Sequence, residues 1–238
     1  MRDGRPATRL DRMQSFMLDY QALRLRQRQA RLDRMGAFLH RFAEQHRQSW
    51  SVERRFNVFQ LLRVEQDEVR HSRFLAWLLD ADSGHGQGSA FLMALARTCE
   101  LDISPEAMDY YRVRTEWSGT ESIIDVLAVR KGHFLIFLEN KILAAEGPDQ
   151  IDREYRDMRR LGAALRVPKE RQLALFLTPT GRAPTSGDAS RWKAISYGDL
   201  AAGFRQLLPG IAEDKVRYIL QDWLETVTAF GGSDELAV

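Results

Sequence analysis

The sequence predicts an α/β protein: a central mixed sheet of four or five strands flanked by helices, with an N-terminal helical extension. Three observations carry this. Two β-rich apolar runs, Ile123–Val129 and Phe134–Ile142, flank the break Arg130-Lys-Gly-His133, a strand–turn–strand signal. A further run, Gln172–Leu177, is apolar after its first residue, as expected of a strand buried on both faces of a layered α/β fold. Helical periodicities occupy both ends of the chain and the stretch from Asp149 to Leu161 between strands.

Taken in order, residues 1–54 read as a basic helical arm. Leu10, Met13, Met17, Tyr20 and Leu23 recur at spacings of three and four, and Leu32, Met35, Phe38, Leu39 and Phe42 continue the pattern. Gly36 and the polar run 24–29 weaken it, so the arm is one bent helix or two. His40 and His46, six apart, do not share a helical face, which argues against a metal site there. Residues 55–230 form the main domain. Helices are expected over Glu68–Leu79 and Ser89–Cys99, with a glycine-rich loop between them. Tyr110–Trp117 alternates as a first strand, the two central strands follow, and Gln172–Leu177 and Trp192–Ser196 give the fourth and fifth. The Pro/Ser/Gly stretch 182–191 reads as a mobile rim. Asp199 caps a helix to Leu208, and Val216, Ile219, Leu220, Trp223, Leu224 and Val227 mark a closing helix. Residues 231–238 are a flexible tail.

Composition narrows the class. Of 238 residues, 44% are hydrophobic and 29% charged, the balance of an ordinary water-soluble domain. No apolar run approaches ~20 residues, so no membrane span is expected, and no secretion signal is evident. The cytoplasm is the default compartment. The single cysteine, Cys99, cannot form an intrachain disulfide or a Cys-rich zinc site. No glycine-rich loop ends in Gly-Lys-Ser/Thr, so no ATP site is expected. Net charge is only +2, yet residues 1–60 carry 13 Arg against 6 acids, a local +7, and the remainder sums to −5. A basic arm on a slightly acidic body suits a polyanionic partner, or is simply a solvated arginine-rich face. The arm is also a candidate surface for homodimerisation.

Charges inside the two central strands single out the chemistry. Glu139 and Lys141 are two apart and project from one face, with Asn140 on the other. If the strands pair as neighbours, Asp125 approaches Glu139 on that face. Two carboxylates and an ammonium then meet on an otherwise apolar sheet, which is costly unless they are paired or bind a metal. The spacing Asp125, Glu139-x-Lys141 resembles the PD-(D/E)xK nuclease superfamily, and the core Leu138-Glu-Asn-Lys-Ile142 resembles an uncharacterised bacterial branch of it. The resemblance extends to Asn57-Val-Phe59, Glu68–Leu79, His85-Gly86, Leu177-Thr-Pro179 and Ile195-Ser-Tyr197, and so spans about residues 55–229. The triplet alone recurs by chance; the ordered combination is far more specific.

The resemblance implies a restriction-endonuclease-like sheet and a metal-dependent phosphodiesterase hydrolysing DNA. Asp125 and Glu139 would hold Mg²⁺, with Mn²⁺ as substitute, and the Asn140 carbonyl could add a contact. Lys141 would assist the attacking water. Glu68 matches a helical acid that reaches toward the metal; His71 and Ser72 also match the family, His71 to hold Glu68 or a phosphate and Ser72 to cap or brace the same corner. His85, before Gly86, would rim the site or be a plain surface imidazole in a glycine loop. Glu116 matches an acid on the preceding strand, either facing the site or solvated. Gln150 matches a glutamine that the family follows with a tyrosine four residues on; here Glu154 takes that place and Tyr155 falls one later, about 100° around the helix. Lys169, Arg171, Arg182 and Arg191 are candidates for phosphate contacts beside the site. The competing readings are a catalytically silent nucleic-acid-binding or scaffold module, and a small-nucleotide phosphohydrolase.

Overall fold

Five strands lie side by side in chain order: β1 (Arg112–Ser118), β2 (Ile123–Arg130), β3 (Phe134–Asn140), β4 (Gln172–Thr178) and β5 (Lys193–Ser196). The computed structural model describes residues 23–39, 56–108 and 110–230. β1, β2 and β3 are antiparallel, and β3, β4 and β5 are parallel. The switch follows from the connections: tight turns join the first three strands, whereas β3 reaches β4 through a helix, α5 (Gln150–Ala164). The sheet is thus mixed and flanked by helices, the expected restriction-endonuclease-like α/β architecture.

β3 is central, and all seven of its residues are buried. Its even-numbered side chains, Phe134, Ile136 and Leu138, face a core built with α3 (Glu68–Leu79), α4 (Ala90–Thr98), α6 (Tyr197–Arg205) and α7 (Asp214–Thr228). Its odd-numbered side chains, Leu135 and Phe137, face a smaller core with Ile151 and Met158 of α5 and with Trp192. The short α2 (Val58–Leu61) is tied to α7: Asp222 Oδ2 accepts from Val58 N–H at 2.8 Å, and Asn57 Nδ2 donates to the Asp222 carbonyl at 2.8 Å. Cys99 is buried, and desolvation pushes its thiol up to about 12, so it is inert.

Two sequence expectations change here. α6 starts at Tyr197, capped by Ser196; Asp199 is its third residue and bonds back to the Ser196 N–H, closing a reciprocal capping box. The 182–191 stretch is tied down at several points. Glu146 accepts from Thr185 N–H and Ser186 N–H at 2.8 and 2.9 Å and pairs with Arg182 at 2.7 Å. Asp152 accepts from Asp188 N–H at 3.2 Å.

Contacts divide the chain into two units, Met1–Arg55 and Phe56–Val238. In the first unit a helix, α1, covers residues 23–39, with Leu25, Leu32 and Met35 exposed. The rest of the predicted arm, His40 and His46 among it, and the tail from residue 231 lie outside the described residues. No helix among the described residues is long and apolar enough to cross a membrane.

The β1–β2 turn is held by one carboxylate. Asp157, on the buried face of α5, accepts from Thr120 N–H (3.1 Å), Glu121 N–H (2.8 Å), Ser122 N–H (2.9 Å) and the Ser122 hydroxyl (2.8 Å). Gly119 leaves room for it: a Cβ there would collide with the carboxylate. Asp157→Ala strands three backbone donors and is expected to cost ~3 kcal/mol, read as a lower urea midpoint. A midpoint shift below ~0.5 kcal/mol would show that water replaces the clamp.

Candidate active site

Asp125 occupies a break in the sheet. The β2–β3 ladder ends at Val126↔Leu138, one pair short of Asp125 and Glu139, so the strands part at this point. The β1–β2 ladder runs from Thr115↔Val126 to Trp117↔Ile124 and skips Glu116 and Asp125. Glu116 has φ of 50°, left-handed backbone that a non-glycine residue adopts at a cost. The alternation of β2 changes phase here: Ile124 and Leu127, three apart, both join the α5-side core. In the gap, Asp125 Oδ2 accepts from Asn140 N–H at 2.9 Å.

Glu139 and Lys141 meet on the α5 side. Lys141 continues the strand direction through its N–H to the Leu177 carbonyl (2.9 Å), and its Nζ lies 3.0 Å from Glu139 Oε1. Glu139 is 2% exposed, its Oε1 also accepts from Gln150 Nε2 at 2.5 Å, and its Oε2 is buried with no hydrogen-bond partner among the described residues. Burial raises the Glu139 carboxyl well above the usual range, with the charges of Asp125 and Glu154 adding to it. Burial likewise lifts Asp125 to about 6, against the stabilising Asn140 N–H. For Lys141, burial acts to lower the ammonium, but the charge and hydrogen bond of Glu139 outweigh it and hold it above its ordinary value.

Asn140 faces the opposite way and fastens three elements. Its Nδ2 donates to the Glu68 carbonyl (3.0 Å) and Ser72 Oγ (3.1 Å) of α3, and its Oδ1 accepts from the Tyr197 hydroxyl (2.8 Å) of α6. Glu68 is the first residue of α3, after the N-cap Asp67. Its Oε1 collects the N–H groups of Ile142, Leu143 and Ala144 at 2.8, 2.9 and 2.8 Å, shaping the turn after Lys141, and its charge is felt by Asp125 and Lys141. Gln150, the first residue of α5, donates to Glu139 and to Glu154 Oε1 (2.8 Å), while its own Oε1 accepts from Gly147 N–H (3.0 Å). Glu154 is 1% exposed, and burial raises it to about 7. A cleft of about 510 Å³ opens beside these residues, lined by Ser118, Ser122, Gln150, Arg153 and Glu154 among others.

The structure therefore brings Asp125, Glu139, Lys141, Glu68, Ser72 and Gln150 to one corner. Other expected residues lie elsewhere or are engaged. His71 is a core histidine: the Trp223 indole N–H donates to its Nδ1 at 3.0 Å, so in the neutral ring Nε2–H faces the Glu65 carbonyl at 2.7 Å. Neither nitrogen holds Glu68 or remains for a phosphate. His85, expected at the rim, is buried edge-on between Trp77 and Phe91. Glu116 is half-exposed and paired with Arg73 at 2.9 Å. Lys169 and Arg171 are misplaced by the sequence reading: they precede β4, whose first residue Gln172 pairs with Leu135, four residues along β3 from Glu139. That is roughly 13 Å, the far end of the sheet. Arg182 lies on the site-side loop but pairs with Glu146 and covers the Phe176 ring. Arg191 pairs with Asp188 and Asp152 and covers Tyr155.

Sequence reading missed two roles, the Asn140 clamp and the Glu154–Gln150 contact. The second had a signal. Ile151 and Met158, seven apart, define the apolar face of α5, and Glu154 falls within that stripe.

The donor set suits a hard divalent cation. Asp125 and Glu139 offer only oxygen, and the unpartnered Glu139 Oε2 is a buried acceptor in want of a positive partner. Among the described residues no three His, Cys, Asp or Glu side chains form a ready-made metal cluster. Two carboxylates with water completing the shell is therefore the arrangement that fits.

A mixed five-stranded sheet carrying an acid, then Glu-x-Lys at the parting of two strands, is an arrangement suited to a nuclease-type phosphodiesterase. A family model described as the PD-(D/E)XK nuclease superfamily matches residues 56–223, and the chain belongs to that superfamily. Its members are usually hydrolases that act on nucleic acid and typically use divalent metals. No curated protein and no solved structure matches the chain.

The raised carboxylates set the sign of the pH dependence. Glu139, Glu154 and Asp125 hold protons in the folded protein at pH values where the unfolded chain has lost them. Stability without metal therefore rises as pH falls from 8 to 6, by ~1–2 kcal/mol. His71 and His85, held neutral by burial, oppose this only below their ordinary 6.5, where the unfolded chain takes up protons. Calorimetric melting in chelator at pH 6, 7 and 8 checks it; a lower melting temperature at pH 6 would mean the carboxylates are ionised when folded.

The clamp generates a second expectation. Asn140→Ala leaves the Tyr197 hydroxyl buried without its acceptor and unties α3 from β3, at a cost of ~2–4 kcal/mol. A chemical denaturation curve measures it, and a loss under 1 kcal/mol would contradict the clamp.

Proposed function

We propose that the protein is a metal-dependent phosphodiesterase that hydrolyses DNA. The observation that carries this reading is the buried Glu139–Lys141 pair, in which Lys141 binds one carboxylate oxygen and the other has no partner. Asp125 and Glu139 would hold Mg²⁺, or Mn²⁺ in its place. When bound, the ion would supply charge stabilisation at the phosphoryl oxygens. Glu68 adds negative charge at the same corner and fixes the turn that follows Lys141. Lys141 stays protonated, orients the attacking water and lowers its pKa by its positive field. As the water oxygen bonds to phosphorus, the bond to the leaving sugar oxygen breaks; the water gives up a proton to solvent, and the leaving oxygen takes one from solvent to become a hydroxyl. Ser72 braces the corner through Asn140, and Gln150 steadies Glu139. Arg182 and Arg191 can exchange their present carboxylate partners for backbone phosphates, and the basic N-terminal arm would add sequence-independent affinity.

Lys141 acts where negative charge develops, so its benefit falls mainly on the transition state. Lys141→Ala is expected to bind DNA within a few-fold of wild type and to cleave it ~10² to 10³ more slowly in single turnover. Linear, nicked, supercoiled and single-stranded DNA should be assayed with Mg²⁺ and Mn²⁺, with thermal melting alongside and a chelator control. Cleavage by a folded Lys141→Ala at the wild-type rate would end the mechanism. Absence of any cleavage by wild type across the panel would favour the silent binding module.

A further inference from the structure

We propose that Glu154 is a positioning residue of this site: it fixes the orientation of the Gln150 amide, and the amide in turn holds Glu139 for its cation. The inference rests on the reading of Asp125 and Glu139 as cation ligands and adds a residue to that site.

Gln150 makes three bonds that agree on one orientation. Its nitrogen donates to Glu139 Oε1 and Glu154 Oε1, and its oxygen accepts from Gly147 N–H. Rotated by 180°, the amide would aim its oxygen at two carboxylates and its nitrogen at an N–H. Glu154 thus biases the amide toward the one state that donates to Glu139. The bias is built into the helix: Gln150 and Glu154 are four apart on α5 and lie one above the other.

Stability gives no other reason for Glu154. It sits on the same buried face as Ile151 and Met158, is 1% exposed, and has no ion pair among the described residues. Its Oε2 is buried without a hydrogen-bond partner among the described residues. A methionine would fill that face without the desolvation penalty of a carboxylate. Among the described residues, the one direct hydrogen bond of its side chain goes to Gln150. It contrasts with Asp157, three residues on, which spends its carboxylate on a backbone turn.

Mn²⁺ binding without DNA is the test, by calorimetry on the full chain, with thermal melting of every variant. Glu154→Met is expected to fold with a melting temperature at or above wild type and to bind Mn²⁺ about 10-fold more weakly, the scale of a lost outer partner of a metal ligand. Glu154→Gln keeps an acceptor for Gln150 and should stay within about 3-fold of wild type. In a Gln150→Met background, Glu154→Met should add nothing, because its route to Glu139 is already gone. Wild-type affinity in Glu154→Met, while Asp125→Ala is weakened, overturns the inference and leaves the ligand set standing. An affinity in Glu154→Gln as low as in Glu154→Met overturns it too, since the charge and not the orientation would then matter. Unchanged binding by Asp125→Ala would instead overturn the ligand set, and with it the premise.

Discussion

Burying Glu139 is the constraint on which the rest of the structure depends. β3 is enclosed along its whole length between two layers, so a carboxylate at its end cannot keep its water. The protein compensates with Lys141 and Gln150 on one oxygen and leaves the other bare. Removing water is what makes the site's charges strong: an interaction screened in solvent acts at lower dielectric here. The same removal explains why two further acids, Asp125 and Glu154, are shifted upward beside it. Excess negative charge in a dry corner favours a divalent cation there.

Acids in this chain divide into two physical kinds. Asp157 and Glu146 collect backbone N–H groups and nearby arginines, and these hold their carboxyls low, Glu146 at about 2, although burial acts the other way. They are structural anions that shape the β1–β2 turn and the 182–191 loop. Asp125 and Glu154 each face one hydrogen-bond donor, Glu139 has two crowded on a single oxygen, and all three are shifted up. Burial pushes every one of these carboxyls up, and the number of donors facing each decides whether that push is overcome. Glu68 shares features of both: one oxygen gathers three N–H groups, and its charge reaches Lys141. It joins the turn after β3 to the start of α3.

Asn140 shows how the site is supported from behind. Alternation places it on the opposite face from Glu139, in the larger helical core. There it bonds α3 and α6 at once, while its own N–H holds Asp125. Residues that touch neither cation nor substrate thereby set the distance between those that would. His71 belongs to the same support: its ring joins Glu65 to Trp223, so α3 is anchored on α7 behind the site.

Local pattern was enough for much of this protein. Apolar runs of strand length, the glycine turn at 130–133 and helical spacing placed β2, β3, β4, α3, α5 and α7. Strict alternation put Glu139 and Lys141 on one face and Asn140 on the other, because side-chain direction in a regular strand depends only on parity. Tertiary structure decided what parity and spacing cannot carry. The phase change at Asp125 arises where two ladders open. Lys169 and Arg171 fall at the far end of the sheet because β4 runs parallel to β3, a direction set by the α5 crossover and not by their neighbours in sequence. His71 and His85 look like site histidines in the sequence and are core residues in space, and the buried contact of Glu154 with Gln150 forms only once α5 packs on the sheet. In each case the outcome rests on which groups, distant in sequence, exclude water from a side chain, and only the folded chain brings those groups together.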